Sequence, residues 1–586
     1  MVYFFTSALV VLAYGNLALA MPATPTELTE RTQVVEQRAV CTNDANNRNC
    51  WSDGFDINTD FYLEVPDTGV TVEYWISVEN STCMNDGVPR DCLTFNGTVP
   101  GPLLVADWGD TLKVHVTNNL AQNGTTVHWH GIRQLNSTEM DGVPGVSQCP
   151  IPPGETMTYE MRLMQYGTTW YHSHFTFQYG DGILGPLTIN GPASANYDID
   201  AGTLFLSDWS HIPIMTLWGG DLGGLHTLDN ILVNGTNTYE AADDTITGSK
   251  YELVFEQGKT YRIRLINVAI DAFFGFHIDG HNFTVIATDL VPIQPFVTDR
   301  IQVGIGQRYD IIVEANADPG NYWIRSGFET ACNTIGNNGD VSANGTGILR
   351  YDSTSTDDPT TEDTIGNAGN CLDIDSSLLQ PVVEVDVTDL ETVILEDLSI
   401  TGGILSYATW TLNGSTFYLD WAEPTVKQVE EGNTSYSDFE QIVEIGSGFD
   451  AAEWAVLVID TTLGVNHPIH MHGHDFFILA QETDATYVNT SNFNFNNPPR
   501  RDVAVLPASG YLALGLQLDN PGAWMVHCHI AWHASGGLAM QLLESKESML
   551  TSGALADWDS VGSPMCSSWE TWATTDEIWP QDDSGI

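Results

Sequence analysis

Basic residues are scarce in this chain: 19 lysines and arginines stand against 76 aspartates and glutamates in 586 residues, a formal charge of −57. A surface so acidic repels nucleic acid and anionic membranes, so neither is an expected partner. After the first twenty residues no apolar run is long enough to cross a bilayer. Helical periodicity is scarce too, and short alternating strands take its place, punctuated by Gly and Pro. Thr111-Leu-Lys-Val-His-Val and Tyr261-Arg-Ile-Arg-Leu-Ile are two of them. The predicted class is all-β, with sandwiches or barrels favoured. The length calls for about three or four domains.

The early apolar run ends in Ala18-Leu19-Ala20, a small-x-small cleavage pattern, and residues 1–20 read as a secretory signal. Residues 21–38, polar and ending at Arg38, read as a propeptide, with the mature chain starting near Ala39. Export permits disulfides. Of nine cysteines, Cys528 lies between two histidines and is better used as a thiolate ligand, which leaves an even eight. Spacing suggests local bridges Cys41–Cys50 and Cys83–Cys92 and a staple Cys332–Cys371. Cys149 and Cys566 then remain to tie the early chain to its end, although spacing alone does not prove a pairing. Ten Asn-x-Ser/Thr sequons suit a secreted glycoprotein.

What the chain has in excess is the His-x-His doublet: His128-Trp-His130, His172-Ser-His174, His470-Met-His472 and His527-Cys-His529. Sixteen histidines placed at random would give roughly 0.4 such doublets. Neutral imidazole is a ligand for copper and zinc, and a thiolate adds preference for copper. One doublet alone would be read as satisfied core histidines; four, with a cysteine inside the last, imply a metal protein and favour copper. Cys528-x4-His533-x4-Leu538, with His467 upstream, has the spacing of a His2Cys electron-transfer site whose axial position holds a side chain that cannot coordinate. Met540 has the wrong spacing for that position and is assigned to core packing. Alternation along a strand points His527 and His529 away from Cys528, toward a second site.

An internal repeat carries the same chemistry. Pro521-Gly-Ala-Trp-Met-Val-His-Cys-His matches Pro319-Gly-Asn-Tyr-Trp-Ile-Arg-Ser-Gly and Gly167-Thr-Thr-Trp-Tyr-His-Ser-His. Gly473-His-Asp-Phe likewise matches Gly280-His-Asn-Phe. Such long spacing means duplicated domains rather than a solenoid. The third copy keeps a thiolate, the first keeps only histidines, and the middle one keeps neither.

His128-Trp-His-Gly, Trp170-Tyr-His-Ser-His, His467-Pro-Ile-His-Met-His-Gly and His527-Cys-His-Ile-Ala-Trp-His resemble the four copper motifs of the multicopper oxidases. Leu538, the Ile530-Ala531-Trp532 spacer and the tail Asp583-Ser-Gly-Ile586 are similar to the laccases of ascomycete fungi. The resemblance implies three cupredoxin-like Greek-key β-sandwich or barrel domains, expected at 39–192, 193–360 and 361–586. It implies four copper ions. A type 1 ion would take His467, Cys528 and His533, with Leu538 as the axial non-ligand, and a type 2 ion His128 and His470. A type 3 pair would take His130, His172 and His529 on one ion and His174, His472 and His527 on the other. Asp141 resembles the acid that delivers protons near the cluster. Asp208, in Leu206-Ser-Asp-Trp-Ser, resembles the pocket acid that accepts a phenol's proton while His533 takes the electron. The tail resembles a buried plug that brings Asp583 near the path of protons and O2.

The implied function is that of a secreted, monomeric laccase oxidising phenols and aromatic amines while reducing O2 to water. A dedicated phenol-coupling oxidase of secondary metabolism is the nearest alternative. An Fe(II) or Mn(II) oxidase would need several acids beside His533, and a copper carrier would have no use for a wired cluster. His115, His211, His226, His277, His281 and His474 match no ligand position.

Overall fold

Alternation decides the strands. Thr111–Asn118 turns Leu112, Val114 and Val116 into the core and leaves Lys113, His115 and Thr117 half-buried on the other face. The computed structural model describes residues 42–52, 54–219, 228–329, 346–366, 370–388, 390–401, 409–446, 453–574 and 581–586. The expected signal and propeptide, Cys41, Cys332 and His226 lie outside the described residues.

In the first repeat, strands in the order Arg90–Phe95, Thr71–Cys83, Thr111–Asn118 and Thr156–Arg162 form one sheet. The second sheet runs Leu104–Asp107, Leu184–Asn190, Gly167–His172, His128–Trp129. Val78, Leu112 and Val114 from one sheet meet Leu104, Leu187 and Trp129 from the other in a core closed to solvent. Each such buried aliphatic side chain contributes roughly 1.5–3 kcal/mol, which is what holds two sheets face to face.

The arrangement recurs twice. The third repeat has a sheet ordered Ile442–Ile445, Ala539–Glu544, Gly522–Cys528, His467–Met471, Val503–Leu506. The middle repeat has Tyr251–Val254, Gly347–Arg350, Asn321–Phe328, Phe274–Ile278, Ile301–Val303 in the same order. In all three the edge strand pairs in parallel with its neighbour and the next pairing is antiparallel. The repeat read from short sequence matches is therefore a repeat of whole sheets, four strands in the first and the same order with a fifth strand added in the other two.

Register shows what the middle copy does instead. His128 lies opposite His172 in the first repeat and His470 opposite His527 in the third, but His277 lies opposite Arg325 in the middle one. Arg325 donates to both oxygens of Asp279, at 2.7 and 2.8 Å, and both residues are buried. Asp279 precedes Gly280 as His472 precedes Gly473, so a charge pair fills ground that the third repeat gives to imidazoles.

Cys83 is bonded to Cys92 and Cys149 to Cys566. The second bridge fastens helix Ser563–Ala573 to the first repeat. Cys50 and Cys371 are also disulfide-bonded.

Candidate metal centres

Gly522–Cys528 is a wholly buried strand, so each of its side chains must satisfy one of two interiors. Cys528 faces the third repeat's apolar core, where its Sγ lies 3.6 Å from His467 Nδ1 and 3.5 Å from His533 Nδ1. The two ring nitrogens are 3.1 Å apart. His533 reaches back over Cys528 because the chain leaves the strand at Ile530 and makes one short helical turn, Ala531–Ser535. Leu538 N–H then donates to His533 O at 2.9 Å, and Cys528 N–H to Leu538 O at 3.1 Å. Leu538 thus sits across from the thiol, buried in the same apolar cluster, while Met540 pairs with Val526 further along. His533 is the half-buried member of the trio, its ring 4.1 Å from that of Trp410.

Burial holds His467 at about 3 and His533 well below the usual imidazole range, so both are neutral bases. It also pushes the Cys528 thiol up. A thiol facing two lone pairs in an apolar core becomes a thiolate only beside a cation. The donor set fits a soft or borderline metal, as the sequence implied.

His527 and His529 point the other way, into a cluster of eight buried histidines. His128, His130, His172 and His174 come from the first repeat, and His470 and His472 join from the third. Ligand atoms group within 4.8 Å of one another as His128/His130/His470, His130/His172/His529 and His174/His472/His527. His128 and His470 approach Nε2 to Nε2 at 3.4 Å, and His472 and His527 at 3.3 Å. Their other nitrogens are already engaged. His128 Nδ1 bonds Asp141 O at 2.8 Å, His470 Nδ1 bonds Asp502 O at 2.8 Å, and His527 Nδ1 bonds Cys528 O at 3.0 Å. Such outer acceptors fix the tautomer and present bare Nε2 lone pairs inward.

Burial and mutual repulsion keep His130, His172, His174, His470, His472 and His529 well below the normal imidazole range, and His527 at about 4. His130 Nδ1, His172 Nε2, His174 Nδ1 and both nitrogens of His529 are buried with no hydrogen-bond partner. Buried polar atoms without partners are costly, and so many converging on one space fit cations rather than a solvent-free core.

Asp141 is fully buried at this centre, accepting from His472 Nδ1 at 2.8 Å, with its other oxygen 3.2 Å from His128 Nδ1. It therefore stands behind two imidazoles rather than among the inward donors. Sequence reading missed its counterpart, Asp502. That carboxylate lies 3.2 Å from His130 Nε2 and is gripped by both ends of Arg308, at 2.5 and 2.6 Å. Burial pushes Asp502 up to about 7 even so. Arg501 and Asp289 extend the network, all of it buried. The available signal was Arg500-Arg501-Asp502, an arginine pair in a chain so poor in basic residues.

Asp208 lies elsewhere, under the loop before strand Phe274–Ile278. Its Oδ1 accepts from Ile270 N–H at 2.9 Å, and its Oδ2 from Asp271 and Ala272 N–H at 2.9 and 3.0 Å. Burial pushes it up to about 6. The same loop offers Ile270 O to Ala531 N–H at 2.8 Å, at the start of the turn that carries His533. Asp583 is buried, with Oδ1 accepting from Gly585 N–H at 2.9 Å, and burial pushes it up to about 7. The tail is tied down by Ser584 N–H to Ser535 O at 2.9 Å and by Ser535 Oγ to Ile586 O at 3.1 Å. Ile586 thereby lines a cavity of about 20 Å³ beside His172, His174, His527 and His529.

Among the described residues, the other histidines are engaged otherwise. His115 bonds Glu73, His211 Asp86, His277 Asp363, His281 Tyr351 and His474 Glu544.

Multicopper oxidase family models match residues 76–194, 200–354 and 418–548. Laccase-2 of Botryotinia fuckeliana is 49% identical, the match covering 99% of each chain, and Laccase-1 of the same fungus is 48% identical over 99% of each. The crystal structure of a laccase from Botrytis aclada superposes with a TM-score of 0.87 at 49% identity, covering 93% of this chain and all of the other. With three matched models, whole-length relatives and eleven histidine and cysteine side chains gathered into groups that could hold metal, this chain belongs to the multicopper oxidase family.

Proposed function

We propose that this protein is a secreted, monomeric laccase that takes single electrons from phenols and aromatic amines beside His533 and reduces O2 to water at the eight-histidine centre. One observation carries this reading: Cys528 and its chain neighbours His527 and His529 set the two centres back to back at the end of one strand. Only adjacent backbone separates them, a span on the order of 10 Å. His467, Cys528 and His533 would hold a type 1 copper. His128 and His470 would hold a type 2 copper. His130, His172 and His529, with His174, His472 and His527, would hold a type 3 pair. Bound there, four copper ions supply one-electron acceptance at the thiolate and four-electron reduction of O2 at the cluster.

The chain's own residues do the rest. His533, the half-buried ligand, is where a substrate's electron enters. Asp208 is assigned the phenolic proton: a carboxylate has about four lone-pair sites and three are taken by N–H groups, so one on Oδ1 remains. Asp141 holds His472 and His128 in place and is assigned proton delivery to the cluster, with Asp583 assigned a supporting place on the tail side. The domains are assigned to 39–192, 193–360 and 361–586, after a signal at 1–20 and a propeptide at 21–38.

Oxygen uptake during turnover of a phenol panel, a non-phenolic dye and Fe(II) tests the function. Broad oxidation of phenols with four electrons consumed per O2 is expected. A protein confined to one phenol would be a dedicated coupling oxidase, and one that turns over Fe(II) alone would overturn the reading.

Asp208→Asn is expected to raise the Michaelis constant for phenols about tenfold and to shift their pH profile, because an amide cannot accept the proton. A dye with no acidic hydrogen should change little. Equal losses on both would leave Asp208 as an anchor for the 270–272 loop and nothing more.

Leu538→Met is expected to lower the type 1 potential, since a thioether donor favours Cu(II) over Cu(I). Redox titration checks it. An unmoved potential, together with a shift in Met540→Leu, would transfer the axial position to Met540.

A further inference from the structure

Ile586 closes the tail side of the small cavity at His172, His174, His527 and His529, packed in one apolar cluster with Phe175 and Trp421. That cavity has room for about one water-sized molecule. On that side Ile586 stands in the way of a reactant gas. On the far side of the His172-Ser-His174 doublet lies a cavity of about 320 Å³, lined by Asp91, Leu93, Leu120, Gln178, Met215 and Thr216. Two contacts join residues lining one cavity to residues lining the other. Ser173 Oγ donates to Gln178 Oε1 at 2.7 Å, and Thr176 Oγ1 donates to Met215 Sδ at 3.2 Å.

The two contacts differ in strength. Gln178 is locked by Thr125 Oγ1 on the same Oε1 at 2.7 Å and by its own Nε2 donating to Gly124 O at 2.8 Å. Met215 has a fixed backbone, and its side chain packs against the cluster of Phe177 and Trp218 with its sulfur held by Thr176. Asp181 accepts from Ile214 N–H at 2.7 Å and Met215 N–H at 3.3 Å, and Arg90 pins that carboxylate at 3.1 Å. The thioether itself is half-buried, flexible and only a weak acceptor. Facing it, Thr176 has φ 50°. A β-branched residue in the left-handed region is strained, and such strain collects at functional positions. The turn has a visible purpose: it sends Phe175 toward Trp421 and Phe177 toward Trp218 and Trp532, leaving Thr176 alone between the two cavities.

We propose that O2 reaches the eight-histidine centre, and product water leaves it, through the wall formed by Thr176 and Met215, with the Met215 side chain as the moving part. The mouth suits the traffic: Leu93, Leu120 and the thioether offer apolar surface to O2, and Asp91 and Gln178 offer partners to water. The inference rests on O2 being the terminal oxidant.

Stopped flow, with fully reduced holoenzyme mixed with O2, tests it on three variants. Met215→Trp, which adds bulk at the wall, is expected to slow reoxidation by O2 about tenfold or more while reduction by phenol keeps its rate. Met215→Phe, a smaller obstruction, should slow reoxidation by a lesser factor, which keeps the proposal testable if the tryptophan variant fails to fold. Met215→Ala should be reoxidised no more slowly than the parent. A folded Met215→Trp or Met215→Phe protein reoxidised at the parent rate overturns the route. A parent protein that O2 does not reoxidise at all takes the laccase reading down first, and the route with it.

Discussion

A Cys528→Ser protein is expected to lack the intense blue colour expected of the copper-loaded parent, and to oxidise phenols roughly 10³-fold more slowly or worse, while keeping its metal at the histidine cluster. The blue band arises from charge donated by a thiolate to Cu(II). A serine hydroxyl is no substitute, since it holds its proton and donates little charge. The substitution is almost isosteric and its site is fully buried, so the strand should stay in place. His527 and His529, on the opposite face, should keep their positions. Absorption near the charge-transfer band, metal count per chain and phenol kinetics decide it together. A variant that remains blue rules out Cys528 as the ligand. One that loses every metal shows that the two centres do not fill independently.

Arg308→Met is expected to cost about 3–5 kcal/mol of stability and to loosen metal at the histidine centre. Arg308 is closed to solvent, grips Asp502 with two hydrogen bonds and lies 3.5 Å from Asp289. Removing it leaves two buried carboxylates, Asp289 still paired with Arg501 and Asp502 without the guanidinium that gripped it. Asp502 would then either take a proton or move, and its main chain and side chain are what hold His470 and His130. The effect crosses repeats, because Arg308 belongs to the middle one and Asp502 to the third. Denaturant unfolding and metal content per chain are the readouts. Arg308→Met combined with Asp502→Asn should recover part of the stability, since the second change removes the orphaned charge. An unchanged unfolding midpoint with full metal would mean that the network is redundant.

The histidine doublets and Cys528 were readable in the sequence as candidate ligands because their chemistry is local. Two imidazoles that share an ion from one strand must be two residues apart, and a thiolate wired to a cluster must sit between them. The duplicated sheets were readable for a similar reason, since Pro-Gly turns and glycines after the doublets recur at matching places. Asp502 and Arg308 were not, as they are 194 residues apart and no spacing rule connects them. Asp208 shows the opposite difficulty. Its position could be named, but that three backbone N–H groups from residues 270–272 converge on it is a fact of the folded loop. The wall at Thr176 was equally invisible, because a left-handed threonine carries no mark in sequence.

The Asp279–Arg325 pair has a consequence for the order of assembly. A repeat whose inner face converges on bare imidazoles is incomplete until metal arrives, and metal binding is then part of its folding free energy. The middle repeat closes the same face with its own charges, so no ion is needed there to complete it. Arg308, its contribution to the network around Asp502, thus comes from the repeat whose folding is expected to depend least on metal. Hydrogen exchange on the metal-free chain is expected to find the middle repeat better protected than the two ligand-bearing ones. Metal would then complete a shape that the middle repeat has begun.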